Sequence, residues 1–301
     1  KSGTWIAYQT LFTDHLEAVN KAPNTIRTYN IAVSQLGDFL GHPDPLKLKA
    51  TDVVAFMRAV TRPKADGGLG LGDASALQRY RSIQQYFRWL HESGERRDNP
   101  MGKMKPPALP EKLVPVVSEG DIRKLLKACA GNAFDARRDR AIISLFIDTG
   151  MRLSEMACIK VADLDLVERS VVVMGKGRRR RVLAFVRETR TDIQRYVLAR
   201  QRRRYASIDA LWLGHKGTLT APGIYQMLQR RCEEAGIPAI HPHQLRHTFA
   251  HMYLKAGGNE GDLMRVTGWK SRSMVDRYGA SAASARALEA HERFSPRNYL
   301  G

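Results

Sequence analysis

Apolar residues recur every three or four positions through the first hundred residues, which is the spacing of helices that bury one face. The pattern breaks into four segments, and Asn24 is predicted to cap the second of them. We therefore expect a four-helix domain over residues 1–103. The segments are WIAYQTLFTDHLEAV, TIRTYNIAVSQLGDFL, DVVAFMRAV and ASALQRYRSIQQYFRWLHE.

A proline-rich stretch follows the predicted helices. The sequence NPMGKMKPPALPEKLVPVVSEGD, residues 99–121, contains five prolines and shows neither a helical nor a strand period. Such a composition is typical of an extended linker. Because 301 residues are also many for a single hydrophobic core, we predict a domain boundary here, with a linker over 104–117 and a second domain over 118–301.

The second domain begins with helical spacing and then changes period. SEGDIRKLLKACA predicts a helix capped by Ser118, and DRAIISLFIDTG predicts another that ends at Gly150. SVVVMGKGRRRRVLAF is two β-rich runs around a Gly-Lys-Gly turn, which predicts a hairpin with a basic tip. Helical spacing resumes at TDIQRYVLARQRRR and is expected to continue to the end, so this domain is predicted to be mixed α and β.

The segment HPHQLRHTFAH, residues 241–251, contains four histidines and one arginine. Pro242 suits a first helical position, and a helix from there places His243, Arg246 and His247 at i, i+3 and i+4, on one face. The apolar residues Leu245, Phe249 and Met252 fall on another face, so we expect the helix to dock by that side and present the polar one. A solvated helix that happens to be rich in histidine is the alternative.

The net charge of the chain indicates what kind of molecule it binds. Lysine and arginine number 49 against 30 acidic residues, for a net charge of +19, and the pI is about 10.2. A polyanion is therefore expected to bind, and nucleic acid is the leading candidate because neutralising phosphates releases counterions. The alternative is a basic surface that serves only solubility. The predicted second domain with its linker carries most of the excess charge.

Several classes of function are disfavoured by what the sequence lacks. No apolar run approaches the length of a membrane span, and Cys129, Cys158 and Cys232 show no disulfide or zinc spacing. There is no HExxH motif, no acidic cluster and no glycine loop for a nucleotide. We expect a protein without metal, cofactor or membrane contact, cytoplasmic and associated with the nucleoid.

Three other places carry side chains suited to a phosphate. Arg152 stands just after a predicted helix end, with Glu155 one turn later to hold its guanidinium. Lys176 lies between two glycines at the hairpin tip, where the backbone can approach a ligand, although a lysine in a turn is usually only solvated. Gly268 is predicted to end a helix, and Ser273 and Asp276 resemble the cap of a short next one. Tyr278 is predicted to lie within that short helix, where a tyrosine is ordinarily part of a core.

Together, these arginine, lysine, histidine and tyrosine side chains suit one kind of reaction at a phosphate. Arginines can bind nonbridging phosphate oxygens and stabilise a pentavalent transition state, and a tyrosine can be the covalent nucleophile. This set of residue types therefore indicates phosphoryl transfer to tyrosine without a metal. Basic side chains elsewhere are predicted to contact the DNA backbone: Arg27, Arg79, Arg81, Arg178, Arg179, Arg180 and Arg181.

The order of these residues resembles that of the tyrosine recombinase (phage integrase) family. Arg152, Lys176, the HQLRH segment, the Gly-Trp pair ending at Trp269, and Tyr278 stand in the family's order, and the combination is far more specific than any piece. The resemblance covers essentially the whole chain, including YFRWLHESGERRDNPMGKMKPP at the end of the first domain. It implies a mainly α fold with an N-terminal SAM-like core-binding domain and a C-terminal catalytic domain with a small sheet, forming a C-shaped clamp on DNA.

The resemblance also implies roles. Tyr278 would attack the scissile phosphate, forming a 3′-phosphotyrosyl bond and a free 5′-hydroxyl. Arg152 and Arg246 would bind the nonbridging oxygens, Lys176 would protonate the leaving oxygen, and His243 would assist proton transfer at the nucleophile.

Three further side chains complete the predicted catalytic set. Glu155 and His247 look like supporting residues. Where many members have histidine, this chain has Trp269, which can donate one hydrogen bond but cannot carry a proton, so positioning is its expected role.

The implied substrate is double-stranded DNA with a specific recombination site, exchanged through a Holliday junction. The implied assembly is a homotetramer, with a dimer on each site, and accessory directionality proteins are expected partners. Two alternatives remain: a type IB topoisomerase-like enzyme that relaxes DNA, and a catalytically silent DNA-binding regulator that kept the scaffold.

Overall fold

The computed structural model describes residues 2–108, 115–175, 180–272, 274–275, 287–288 and 290–300. The chain divides into two compact units, Lys1–Glu111 and Lys112–Gly301. Both are mainly helical, and the small sheets belong to the second, so the predicted fold class is confirmed. None of the described helices is both long enough and apolar enough to cross a membrane.

The first unit contains the four predicted helices, packed around an aromatic core. The Phe12 ring meets the Tyr86 ring edge-on at 5.2 Å, and Trp5 and Phe56 are fully buried in the same cluster. The predicted Asn24 cap is wrong, because Pro23 takes the first helical position and the cap falls on the residue before it. The helices are α1 (Ser2–Ala18), α2 (Pro23–Leu40), α3 (Ala50–Thr61) and α4 (Asp73–Glu92).

The second unit is built around a central helix. Six consecutive residues of α6, from Ala141 to Phe146, are buried, which is the pattern of a helix covered on all sides. Helices α8 and α10 pack against it. The helices of this unit are α5 (Glu119–Ala128), α6 (Phe134–Thr149), α7 (Leu153–Ala157), α8 (Arg187–Arg200), α9 (Ala221–Glu234), α10 (Pro242–Lys255) and α11 (Glu260–Thr267).

Two small antiparallel sheets complete the second unit. The predicted hairpin is present as β2 (Ser170–Met174) and β3 (Arg180–Ala184), with Val173 opposite Arg181, and β1 (Leu164–Asp165) adds to the free side of β2. The second sheet pairs β4 (Leu213–Gly214) with β5 (Gly217–Thr218). Sequence analysis missed β1, β4 and β5.

The predicted helix boundaries of the second unit are confirmed where they rest on a single capping residue, glycine or proline. The Ser118 hydroxyl accepts a hydrogen bond from the Asp121 N–H at 3.0 Å and so caps α5. Gly150 and Gly268 end α6 and α11 in the left-handed conformation, with φ values of 57° and 70°. Pro242 begins α10. These caps fix where the segments that carry the candidate site leave their helices.

Candidate active site

Six of the eight predicted catalytic side chains lie in the part of the chain that the structure describes. Lys176 and Tyr278 lie outside the described residues, as do Arg178 and Arg179 of the basic run. The described part of the site consists of the arginines, histidines, glutamate and tryptophan around the C-terminal ends of α6 and α11.

Arg152 is held by Glu155 across the first turn of α7. Arg152 is the residue before the helix, and its backbone N–H donates to Glu155 Oε2 at 2.8 Å while its Nη1 donates to Oε1 at 2.9 Å. The Arg152 side chain stays about one-third exposed, whereas the Glu155 side chain is buried. The structure therefore shows the predicted contact between the Glu155 carboxylate and the Arg152 guanidinium.

Glu155 is ionised in spite of its burial. Burial alone would raise the pKa of its carboxyl, but hydrogen bonds from Arg181 and from the backbone and side chain of Arg152 outweigh that effect and lower the pKa below its usual value. The carboxylate also lies in the first turn of α7, where the helix dipole favours negative charge.

Arg181 contributes a second guanidinium to the same carboxylate, which sequence analysis did not anticipate. Its Nη1 and Nη2 donate to Glu155 Oε1 and Oε2 at 2.8 and 2.7 Å, and its Nε donates to the Val266 carbonyl at 3.1 Å. The neighbouring Arg180 points to the opposite face of β3 and is exposed. The missed signal was strand alternation: Arg181 shares its face with the buried Leu183, two residues on.

Arg246 lies between two helix ends. Its Nη1 donates to the Gly150 carbonyl at 2.7 Å and its Nη2 to the Thr267 carbonyl at 2.8 Å. Carbonyls at helix C-termini carry partial negative charge and favour a cation. One side chain therefore joins the residues just before Arg152 to those just before Trp269.

The polar face of α10 is less accessible than predicted. Arg246 is 1% exposed and His247 is 7% exposed, so the expectation that both are presented at the surface is wrong. The reason is that α11 and the segment after it cover this face: the Arg246 guanidinium carbon lies 5.3 Å from the Trp269 ring centroid. Trp269 is itself buried with Ala250 and Leu263.

His243 keeps part of its side chain open to solvent and lies beside a second histidine. The His241 and His243 rings are nearly parallel, 7° apart, with centroids separated by 5.7 Å. His241 also caps α10, because its Nδ1 accepts a hydrogen bond from the His243 N–H at 3.2 Å. Partial burial, followed by the positive charges of His241, Arg246 and Arg152, lowers the pKa of His243, which favours a neutral imidazole at neutral pH.

The other arginines predicted to contact DNA differ in their surroundings. Arg27 and Arg81 are exposed on α2 and α4. Arg79 is half-buried and donates from Nε to Gln35 at 2.6 Å. Arg180 approaches Asp163 at 3.9 Å. In the described residues, no group of three or more histidine, cysteine or acidic side chains is arranged to hold a metal ion.

Comparison with known proteins identifies the family. The sequence profile of the phage integrase family matches residues 115–285, more than half of the chain. The chain belongs to the phage integrase family. The tyrosine recombinase XerC of Roseiflexus sp. (strain RS-1) is 29% identical over 296 residues, covering 94% of this chain and 92% of that protein.

Solved structures share the fold of this recombinase. The XerH site-specific recombinase bound to palindromic difH substrate, in a post-cleavage complex, has a TM-score of 0.74 at 18% identity, over 93% of this chain and 84% of that one. A lambda integrase tetramer bound to a Holliday junction has a TM-score of 0.68 at 15% identity, over 90% and 76%. The protein is a site-specific tyrosine recombinase, an enzyme that cuts and rejoins DNA.

The described part of the recombinase's site can stabilise a dianionic phosphorane. Two guanidiniums, those of Arg152 and Arg246, are held by backbone carbonyls or a carboxylate in fixed positions, so little reorganisation is needed when charge develops on phosphate oxygens. The neutral His243 beside them can accept a proton.

Proposed function

We propose that the recombinase cleaves one DNA strand with Tyr278 as the nucleophile, in a site formed by Arg152, Lys176, His243 and Arg246. The observation that carries the proposal is the double contact of Arg246 with the Gly150 and Thr267 carbonyls. It brings together two segments that are far apart in the sequence, each of which holds predicted catalytic residues. The segment after Gly150 carries Arg152, and the segment after Thr267 carries Trp269. An arginine that only stabilised the fold would not be expected to lie between two predicted catalytic residues.

The proposed reaction is an in-line displacement at phosphorus. The Tyr278 oxygen forms a bond to the phosphorus, and the bond from phosphorus to the 5′ oxygen breaks. Lys176 donates the proton that the departing 5′ oxygen takes up, and His243 assists removal of the tyrosine proton. Arg152 and Arg246 bind the nonbridging oxygens, and the reverse sequence rejoins the strand.

Three side chains are proposed to support these groups. Glu155 fixes the Arg152 guanidinium, as its 2.9 Å contact suggests. His247 and Trp269 line the Arg246 side of the site from buried positions. Because an indole has no titratable proton near neutral pH, Trp269 is proposed to position the site and to donate a hydrogen bond to the phosphate.

The substrate and assembly are further parts of the proposal. We propose that residues 1–103 and 118–301, joined by the linker 104–117, bind double-stranded DNA at a specific recombination site. The XerH recombinase, which is bound to its palindromic difH substrate, supports this part by analogy. A homotetramer with a dimer on each site is proposed from the lambda integrase tetramer on a Holliday junction. We further propose accessory directionality proteins as partners and a cytoplasmic, nucleoid-associated location.

The nucleophile is tested by trapping the covalent intermediate. Sheared genomic DNA with random nicks is incubated with the protein, adducts that survive denaturant are captured, and the linked 3′ ends are sequenced. The recovered site is then made as a nicked duplex that releases its 5′ fragment and so traps the adduct. We expect Tyr278→Phe to form no adduct while binding this duplex within about threefold of wild type, because no phosphate-binding cation is removed.

The same duplex separates the competing functions. A Tyr278→Phe protein that still forms the adduct would exclude Tyr278 as the nucleophile. With the intact site on plasmids, recombined product supports the proposal, relaxed plasmid without recombinants would indicate a topoisomerase, and a gel shift without cleavage would indicate a DNA-binding regulator.

A further inference from the structure

The Glu155 carboxylate accepts four hydrogen bonds from two arginines. Oε1 accepts from Arg152 Nη1 at 2.9 Å and from Arg181 Nη1 at 2.8 Å, while Oε2 accepts from the Arg152 backbone N–H at 2.8 Å and from Arg181 Nη2 at 2.7 Å. An ionised carboxylate offers about four lone-pair sites, so this one is saturated. Arg181 supplies the paired fork, and Arg152 gives only one guanidinium nitrogen.

This unequal sharing leaves Arg152 with unused capacity. Within the described residues, the Arg152 guanidinium makes its protein contact through Nη1 alone, and its side chain is 31% exposed. Arg181, by contrast, is 14% exposed and uses all three of its guanidinium nitrogens on Glu155 and the Val266 carbonyl. One arginine is therefore committed to the protein and the other remains able to bind a ligand.

We propose that Arg181 is a positioning residue for DNA cleavage, which neutralises and orients Glu155 so that Arg152 keeps its charge and its open donors for the scissile phosphate. The inference rests on the proposed function. Two guanidiniums against one carboxylate leave a net charge of +1 at this cluster. Without Arg181, the buried Glu155 has Arg152 as its nearest cation, and a carboxylate freed on one side draws a guanidinium into a paired fork.

The third contact of Arg181 extends its role to the other side of the site. Its Nε hydrogen bond to Val266 reaches the last turn of α11, next to the Thr267 carbonyl that Arg246 binds. Arg181 also passes directly beside Gly268: a Cβ there would lie 3.4 Å from Arg181 Nη1, an ordinary contact distance. Arg181 itself lies on β3, so one side chain links α7, β3 and the end of α11.

The test uses charge removal at Arg181 and at its carboxylate partner. In single-turnover cleavage of the nicked duplex, Arg181→Gln is expected to slow adduct formation about 10²-fold, the size of effect that follows a misplacement of about 1 Å, with DNA affinity little changed. Arg181→Lys is expected to cleave faster than Arg181→Gln because it keeps the charge. Adding Glu155→Gln to Arg181→Gln is expected to recover part of the lost rate, because it removes the charge that competes for Arg152.

The double variant separates positioning from a merely structural role. Because Glu155→Gln also removes an under-paired buried charge and so restores stability, rates are compared at a temperature where thermal unfolding shows every variant to be fully folded. Under that condition, a double variant slower than Arg181→Gln by the factor that Glu155→Gln causes alone would overturn the inference. If Arg181→Gln is too unstable to assay, Arg181→Lys serves instead: it keeps the charge but cannot form the paired fork that orients Glu155, so it is expected to cleave more slowly than wild type. Wild-type rates for Arg181→Lys, with only the melting temperature lowered, would overturn the inference.

A matched control keeps this result distinct from failure of the proposed function. Arg123→Gln breaks an exposed arginine–glutamate pair, with Nη2 3.1 Å from Glu119, and makes the same charge change. It is expected to cleave as wild type does. If wild type forms no adduct, the proposed function fails; if wild type and Arg181→Gln form it equally fast, only the role of Arg181 fails.

Discussion

Gly150 allows α6 and α10 to approach closely, and adding one methyl group there should damage both stability and catalysis. Its φ is 57°, a conformation that glycine adopts freely and alanine does not. A Cβ at this position would lie 2.8 Å from Phe249 Cγ and 3.1 Å from Phe249 Cβ, on α10. The Gly150 carbonyl also accepts the 2.7 Å hydrogen bond from Arg246. Gly150→Ala therefore strains the backbone, overpacks two helices and displaces an arginine anchor.

Two separate costs make up the expected loss of stability. The left-handed backbone conformation costs alanine about 1–2 kcal/mol. Overpacking against Phe249 costs about 1–3 kcal/mol more. The free energy of unfolding should therefore fall by about 2–5 kcal/mol, which corresponds to roughly 4–20 °C in melting temperature for a unit the size of Lys112–Gly301.

Gly236→Ala is the control that separates the two costs. Gly236 has a similar φ of 62°, but nothing lies within 4 Å of its added Cβ. Thermal unfolding should show that Gly150→Ala is less stable than Gly236→Ala. Single-turnover cleavage should slow about 10²-fold in Gly150→Ala only, because there the Arg246 anchor is expected to shift by about 1 Å. Equal unfolding temperatures and equal cleavage rates for the two variants would refute the packing argument.

Substitutions at three other residues test individual roles in the site. Trp269→His should retain most cleavage, whereas Trp269→Ala should lose about 10²- to 10³-fold, since both the donor and the packing disappear; equal rates for wild type and Ala would remove the indole from the site. Lys176→Ala should cleave slowly and be rescued by a 5′-phosphorothiolate linkage, whose sulfur leaves without a proton; slow cleavage without rescue would contradict general-acid catalysis. Because the pKa of His243 is lowered, its ring is neutral at neutral pH, and the rate should fall only as the pH drops below that lowered pKa; His243→Gln should lose this acid limb, and an unchanged limb would assign it to another group.

Several helix ends could be predicted from the sequence because a single residue determines where each helix begins or ends. Ser118, Gly150, Pro242 and Gly268 each have a backbone or hydrogen-bonding property that fits one position of a helix, and the structure uses all four as predicted. Asn24 failed as a cap because the neighbouring Pro23 fits the first helical position better. The two-residue strands β1, β4 and β5 were missed because a period of two cannot be recognised in so few residues.

Side-chain partners could be predicted only where they are close in the sequence. Glu155 lies three residues from Arg152, so their contact follows from helix geometry. The contact of Arg181 with Glu155 spans 26 residues and depends on which face of β3 turns inward. Within a run of four arginines the charge pattern is uniform, so only the buried Leu183 two positions later indicates that face.

Trp269 gives the active site its own fluorescent reporter. The guanidinium of Arg246 lies over the indole at 5.3 Å, and indole emission responds to charge beside the ring. If Arg246 binds the phosphate as proposed, the charge beside the ring changes. Of the other tryptophans, Trp5 and Trp212 are fully buried in the cores of the two units and contribute a steady background. The fourth tryptophan, Trp89, is only partly buried on α4, so Trp89→Phe is needed to remove its contribution. In that variant, the change in emission on mixing with DNA is expected to follow events beside Trp269 in real time and without an attached dye.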